Sequence, residues 1–203
     1  LCGDHIDEQH IHNLDVCNWV MDGYPATANG QGGREVRDAP EFGQIFDHHF
    51  VEFTYDNGAK MYSQCRHIRN CWRSVSEHAH GSEGTCDISG ARILDSAGEL
   101  AWEFGAGGRD GHQQEHHDLF ADLASGRLPN EGDYGALSTM TSIMGRMATY
   151  SGKEITWEQA LNSDLKLADV DAMTSFDDEA PLEPNMEGLY DVPVPGVSWD
   201  DVL

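Results

Sequence analysis

The sequence predicts an α+β (α/β) domain: a largely antiparallel, open β-sheet with helices packed on one face. Short alternating strands fill the middle of the chain, helical periodicities flank them, and an Asn-Gly dipeptide joins the two clearest strands. Ile6, Ile11, Leu14, Val16, Cys17, Val20 and Met21 recur at helical spacing and Gly23 and Pro25 close the segment, which predicts a helix over 7–21. A short β run is expected at 26–28. His49, Val51, Phe53 and Tyr55 then alternate on one face, with His48 and Glu52 on the other; Asp56-Asn57-Gly58 turns the chain, and 61–67 returns with Lys60, Gln64 and Arg66 sharing a polar face. Further strands fit 75–80, 85–89, 91–94 and 100–104, separated by glycine-containing turns. Helices follow over 113–123, stopped by Gly126, over 134–150, stopped by Gly152, and from Trp157 with Thr156 as N-cap. Trp19, Trp72 and Trp102 are expected in the core.

Composition sets the broad class. The 203 residues carry 36 Asp+Glu against 12 Lys+Arg, a net charge of −24, and such a field repels nucleic acid and anionic membrane surfaces. No apolar run reaches the roughly 18 residues a membrane helix needs. Five cysteines without a C-x-x-C spacing read as reduced thiols, which points to a cytoplasmic protein. Residues 164–203 hold 11 acidic residues against Lys166 and four of the seven prolines, so the chain divides into a body, 1–163, and an acidic tail, 164–203. The tail also carries Leu165, Leu167, Val192 and Trp199, and is expected to lie extended against the body or a second copy of the chain.

The densest set of reactive side chains is at the N-terminus. On a helix Glu8, His12 and Asp15 fall at i, i+4 and i+7, so a carboxylate, an imidazole and a second carboxylate share a stripe suited to general acid/base work. A solvated helix face is the plain alternative. His78 and His80 would point both rings to one side of a strand, and with Glu8, His12 and Asp47 nearby they could chelate a divalent ion; no spacing of the H-E-x-x-H kind appears, and no metal is assigned. His116 and His117 read as surface residues. Gly105 to Gly111 resembles a phosphate-binding loop, but Asp110 stands at the third glycine position and no βαβ unit surrounds it, so no cofactor-binding residue is assigned in this chain.

The stretch from Gly3 to Val20, with His12-Asn13-Leu14-Asp15, resembles the start of the C-terminal domain of the glucose-fructose oxidoreductase/inositol dehydrogenase (Gfo/Idh/MocA) family. Gly32-Gly33-Arg34, Ile45 to Phe50, Ser63 to His67, Ser76 to Gly81 and Gly145 to Lys153 follow in the order of one bacterial branch of it. Glu8 stands where Asp is commoner and His10 where many members carry Gly.

The resemblance implies a dihydrodipicolinate-reductase-like C-terminal domain whose N-terminal Rossmann domain is absent, from an NAD- or NADP-dependent oxidoreductase acting on a sugar, cyclitol or related polyol. By it, His12 exchanges the hydroxyl proton with Glu8 and Asp15 beside it, and His10, His5, His49, His67, Arg66, His78 and His80 are candidates for binding substrate. The missing domain would hold the nicotinamide, and the isolated chain would be inactive. A homo-oligomer through the open sheet face is expected. A metal-assisted sugar lyase or hydrolase using the histidines, and a non-catalytic sugar-binding or oligomerisation module, are the alternatives.

Overall fold

A computed structural model describes residues 4–105, 110–175, 177–180 and 182–197. The chain divides into two compact units: residues 1–71 with 137–203, and 72–136. This division differs from one at 163/164, because the described part of the tail belongs with the first unit.

In the first unit, helices α1 (Asp4–Glu8) and α2 (Ile11–Met21) lead into strand β1 (Thr27–Gly33) and the hairpin β2 (His48–Thr54) and β3 (Lys60–Arg66). The chain returns through α4 (Gly132–Ser151), whose first turn closes the second unit, to β8 (Ile155–Thr156) and α5 (Trp157–Leu161), and the sheet runs β3-β2-β1-β8, antiparallel throughout. The expected helix over 7–21 is thus two. At the junction the amides of both Gln9 and His10 donate to the His5 carbonyl, which puts an extra residue into that turn and kinks the chain.

The hairpin forms as its turn chemistry requires. Gly58 donates to the Tyr55 carbonyl, the Asn57 side chain accepts from Ala59, and Gly58 sits at φ +82°, where only a residue without Cβ is unstrained. The register pairs His48 with Arg66, His49 with Cys65 and Phe53 with Met61. His49, Val51, Phe53, Met61 and Ser63 therefore face inward, where they are buried, while Phe50, Tyr62, Gln64 and Arg66 face out. Ile6, Leu14, Val51, Phe53, Met144, Met147 and Ile155 join in the core that α1, α2 and α4 form on this one face. Burying each such side chain contributes roughly 1.5–3 kcal/mol. Thr156 caps α5 with a full capping box, its side chain accepting from Gln159 and the Gln159 side chain from Thr156.

The second unit holds the antiparallel meander β4 (His78–His80), β5 (Gly84–Asp87), β6 (Arg92–Asp95) and β7 (Leu100–Glu103), followed by α3 (Gly111–Ser125). Its strands make a sheet of their own, separate from the first. None of its described residues is fully buried, and Trp72, Trp102 and Phe104 are at least half exposed. The expectation of a core role for Trp19, Trp72 and Trp102 is corrected here: on α2 it is Leu14 and Asn18 that turn inward, leaving Trp19 76% exposed. The glycine-rich segment 105–111 lies largely outside the described residues.

The tail is docked in part. Leu165, Leu167 and Val192 pack on Phe46 and Tyr150, and the Gly196 amide donates to the Ser151 carbonyl at 2.8 Å. Phe176 and Trp199 lie outside the described residues.

Gly145 marks the closest approach of α4 to the sheet and α1. A Cβ built there meets Phe53 Cζ at 2.7 Å and Ile6 Cδ1 at 3.1 Å, both in the core. Gly145→Ala is expected to destabilise the fold by about 1–3 kcal/mol despite alanine's better helix propensity, read as a lower thermal midpoint.

Candidate functional site

The kinked pair α1–α2 lies over the inner face of β3, and the polar side chains on it divide by what holds them. His10 Nε2 meets the Ser63 hydroxyl at 2.8 Å. Asp15 accepts from the Ser138 hydroxyl on α4 at 2.6 Å, and Asn18 donates to Thr141 and accepts from the Tyr55 hydroxyl. These three tie the helix to the sheet and to α4. Glu8 and His12 are exposed, and the kink falls between them, so the stripe drawn from an unbroken helix is interrupted. His12 makes no side-chain hydrogen bond among the described residues.

Beneath α1 is a buried polar cluster. Asp4 has no exposed surface, sits at φ +71°, and accepts hydrogen bonds from the Tyr150 hydroxyl and from Arg146 Nε at 3.4 Å. Arg146 also lies 3.8 Å from Asp7 and stacks its guanidinium 4.1 Å from the centre of the Tyr150 ring. His49 approaches the Asp4 carboxylate at 3.3 Å through Nε2 and holds Thr149 through Nδ1 at 3.0 Å, and the Tyr150 hydroxyl accepts from the Phe46 amide. Burial opposes ionisation of Tyr150 and pushes its pKa far up, and it lifts the Cys65 thiol to about 12, which leaves that sulfur unreactive.

Next to this cluster, at the end of β3, His5 and His67 place their rings 5.1 Å apart, and Arg37 Nε donates to the His67 carbonyl at 3.1 Å. Buried Asp47 shapes the loop that carries Arg37. One of its oxygens accepts the amides of Glu35, Val36 and Arg37, and the other meets His48 Nδ1. Burial works against its charge, but these donors outweigh it and hold the carboxyl below the usual range. Asp47 is therefore committed to the loop and does not serve the metal cluster weighed from the sequence.

The structure thus brings His5, His10, His49 and His67 to the α1–β3 region, with Glu8 and His12 on the adjoining helices. It buries His49 to 3% exposure as a core residue. Arg66 lies on the opposite face of the sheet, beside His48 across the register, and His78 and His80 belong to the second unit, where His78 contacts Ser76 and Asp87. Among the described residues no group of three or more His, Cys, Asp or Glu is placed to hold a metal ion. Asp4, Asp7, Arg146, Thr149 and Tyr150 were not singled out from the sequence. The one signal was their presence in the Gly3 to Val20 and Gly145 to Lys153 stretches.

Asp7 gives a direct test of the buried cluster. Burial is the largest influence on it, only partly offset by Ser142 and Arg146, and its pKa rises from 3.8 to about 6. A raised carboxyl pKa stabilises the fold fully below pH 3.8, and that contribution is lost as pH rises to about 6, a change of about 3 kcal/mol. Asp7→Asn should abolish this decline between pH 4 and pH 6 in denaturant unfolding measured across that range.

No protein-family profile and no curated protein sequence matches the chain. Solved structures do. A probable dehydrogenase from Thermotoga maritima matches with a TM-score of 0.57 at 16% identity, covering 77% of this chain and 51% of its own. Levoglucosan dehydrogenase in complex with NADH and levoglucosan gives 0.55 at 15% identity, over 73% of this chain and 49% of its own. Myo-inositol 2-dehydrogenase from Lactobacillus plantarum gives 0.52 at 17% identity, over 72% and 46%. The chain spans about half the length of these proteins. Its antiparallel first sheet, covered on one face by helices, is the fold of the C-terminal domain of Gfo/Idh/MocA-type oxidoreductases.

Proposed function

We propose that this chain is the substrate-binding and proton-transfer domain of an NAD- or NADP-dependent oxidoreductase acting on a sugar, cyclitol or related polyol. The observation that carries the reading is the exception along α2 and its N-cap: the side chains of His10, Asp15 and Asn18 are each bonded to the sheet or to α4, whereas the His12 side chain is exposed and makes no hydrogen bond among the described residues. An imidazole kept out of the structural network keeps its lone pair for a ligand. Oxidising an alcohol removes a hydroxyl proton, which needs a base of near-neutral pKa within hydrogen-bond reach. His12 takes that proton and returns it in the reverse direction. Glu8, across the kink on α1, is the acidic neighbour the proposal gives to His12, and Asp15, held by Ser138, fixes the helix that presents it. His10 and His5 supply polar edges for the substrate hydroxyls.

The described residues do not fit a dinucleotide. Gly30 and Gly32 lie within β1, opposite Val51 and His49, and β1 leads into a loop with a single 3-10 turn at Pro40–Phe42, not into an α-helix whose N-terminus could receive a pyrophosphate. The reading therefore gives the nicotinamide to a domain outside these 203 residues. One of the similar structures, that of levoglucosan dehydrogenase, holds NADH, in line with this reading.

The outer face of the first sheet carries Phe50 and Tyr62, their rings 6.5 Å apart and both at least 40% exposed. The proposal assigns this face to a symmetric contact with a second copy. No helix among the described residues is long and apolar enough to cross a membrane.

In the intact oxidoreductase, His12→Ala should lower turnover by about 10²–10⁴-fold while His117→Ala leaves it unchanged, and Glu8→Gln should cost less and shift the pH–rate profile. Equal steady-state rates for the two histidine variants would refute the assignment. The 203-residue chain alone should show no NAD(P) binding by calorimetry. Light scattering should exceed the 22.4 kDa of one chain, and Tyr62→Glu should return it toward that value.

A further inference from the structure

In a chain with 36 acidic and 12 basic residues, Arg37, His5 and His67 gather at the rim of the α1–β3 region. Their positions are set by backbone bonds. The His67 amide donates to the Asp47 carbonyl at 2.8 Å, its own carbonyl accepts from Arg37 Nε, and Asp47 accepts the Arg37 amide. The Arg37 guanidinium lies 5.0 Å from the centre of the Phe42 ring, and its two terminal nitrogens make no hydrogen bond among the described residues. His5 is half-buried, its Nδ1 is shut off from solvent without a partner, and its ring leans on exposed His67. Burial is the largest influence disfavouring the charged form of His5; of the groups facing it, His67, His49 and Arg37 act in the same direction and Glu8, whose effect is smaller, opposes them.

We propose that Arg37, His5 and His67 form an oxyanion subsite and that the substrate is an acidic sugar, a uronic or aldonic acid, whose carboxylate binds there. This rests on the reading that a sugar or polyol occupies the α1–β3 region and narrows its class. An arginine whose terminal nitrogens are unengaged among the described residues, beside two histidines, gains from a ligand that brings a carboxylate, because the acidic neighbour of His5, Glu8, counts for less than the basic groups around it. The two terminal nitrogens of Arg37 present a planar pair of donors that matches a carboxylate. A net charge of −24 penalises a dianion more than a single carboxylate, which favours a sugar acid over a sugar phosphate. The ligand's charge offsets the repulsion that His5 meets from His67, His49 and Arg37, so binding favours protonation of His5.

The test is a titration of the 203-residue chain followed by the Cε1–H resonances of its histidines in ¹H–¹³C NMR spectra. The probes are D-glucuronate, D-glucose, D-glucose 6-phosphate and inorganic phosphate. Glucuronate should shift the His5 and His67 resonances saturably and raise the His5 titration midpoint, while glucose at the same concentration does neither. Arg37→Gln should weaken glucuronate by about tenfold or more, and Arg127→Gln should leave it unchanged. Absence of these shifts in the wild-type chain, or equal affinity in Arg37→Gln, overturns the subsite. Glucose binding as tightly as glucuronate, or either phosphate binding more tightly, overturns the acidic-sugar assignment. Failure of the oxidoreductase reading looks different: glucuronate would still bind through Arg37, while the intact protein showed no NAD(P)-linked oxidation of any sugar.

Discussion

The fold is organised around a carboxylate with no exposed surface. Asp4 is enclosed by Arg146, Tyr150 and His49, and each comes from a different turn or strand: the first two from α4 and the third from β2. Burying an ion costs several kcal/mol, which only closely placed partners repay. The residue therefore stays buried only where the N-terminal helix, the sheet and α4 are all in place, and it is the point at which their relative positions are decided. Loss of Arg146 takes from the buried Asp4 carboxyl its only guanidinium partner among the described residues.

The site inherits this geometry. Asp4, Asp7 and Ile6 fix α1 from below, so the kink at Gln9 and His10 and the direction in which α2 departs follow from where α1 is held. His10 on Ser63 and Asp15 on Ser138 hold the next turns. His12 is left as a solvent-facing imidazole on a helix with little freedom to move, the arrangement that positional catalysis needs. The rim cluster depends on the same frame from the other side, because Asp47 orders both the loop bearing Arg37 and the end of β3 bearing His67.

Much of the first unit was legible in the sequence because local chemistry and tertiary structure agree there. Asn57-Gly58 forms the turn it encodes, the alternation at His49 to Tyr55 matches the buried face, and Thr156 caps α5. Three features were not legible. The kink between Glu8 and His12 has no Pro or Gly to announce it. The buried face of α4 includes Ser138, Thr141, Ser142, Arg146 and Thr149 beside its methionines, and a periodicity reading places such polar residues in water although here they are bonded inside. The strands of residues 78–103 were expected in the main sheet, but short alternating runs say nothing about which sheet they join. Similarly, the family resemblance offered His5, His49 and His67 together as substrate contacts and the alternation put His49 on the apolar face, but only the structure separated His49, buried in the core, from His67, exposed at the rim.

A double-mutant cycle between Asp4 and Arg146 tests the central claim most directly, with Asp4→Asn, Arg146→Met and the double variant compared by denaturant unfolding at neutral pH. Removing one partner should cost about 3–5 kcal/mol, and the double variant should lose much less than the two single losses combined, a coupling of about 2 kcal/mol or more. Losses that add to within about 0.5 kcal/mol would show that the two residues act independently, and that the buried carboxylate is not what holds α1, the sheet and α4 together.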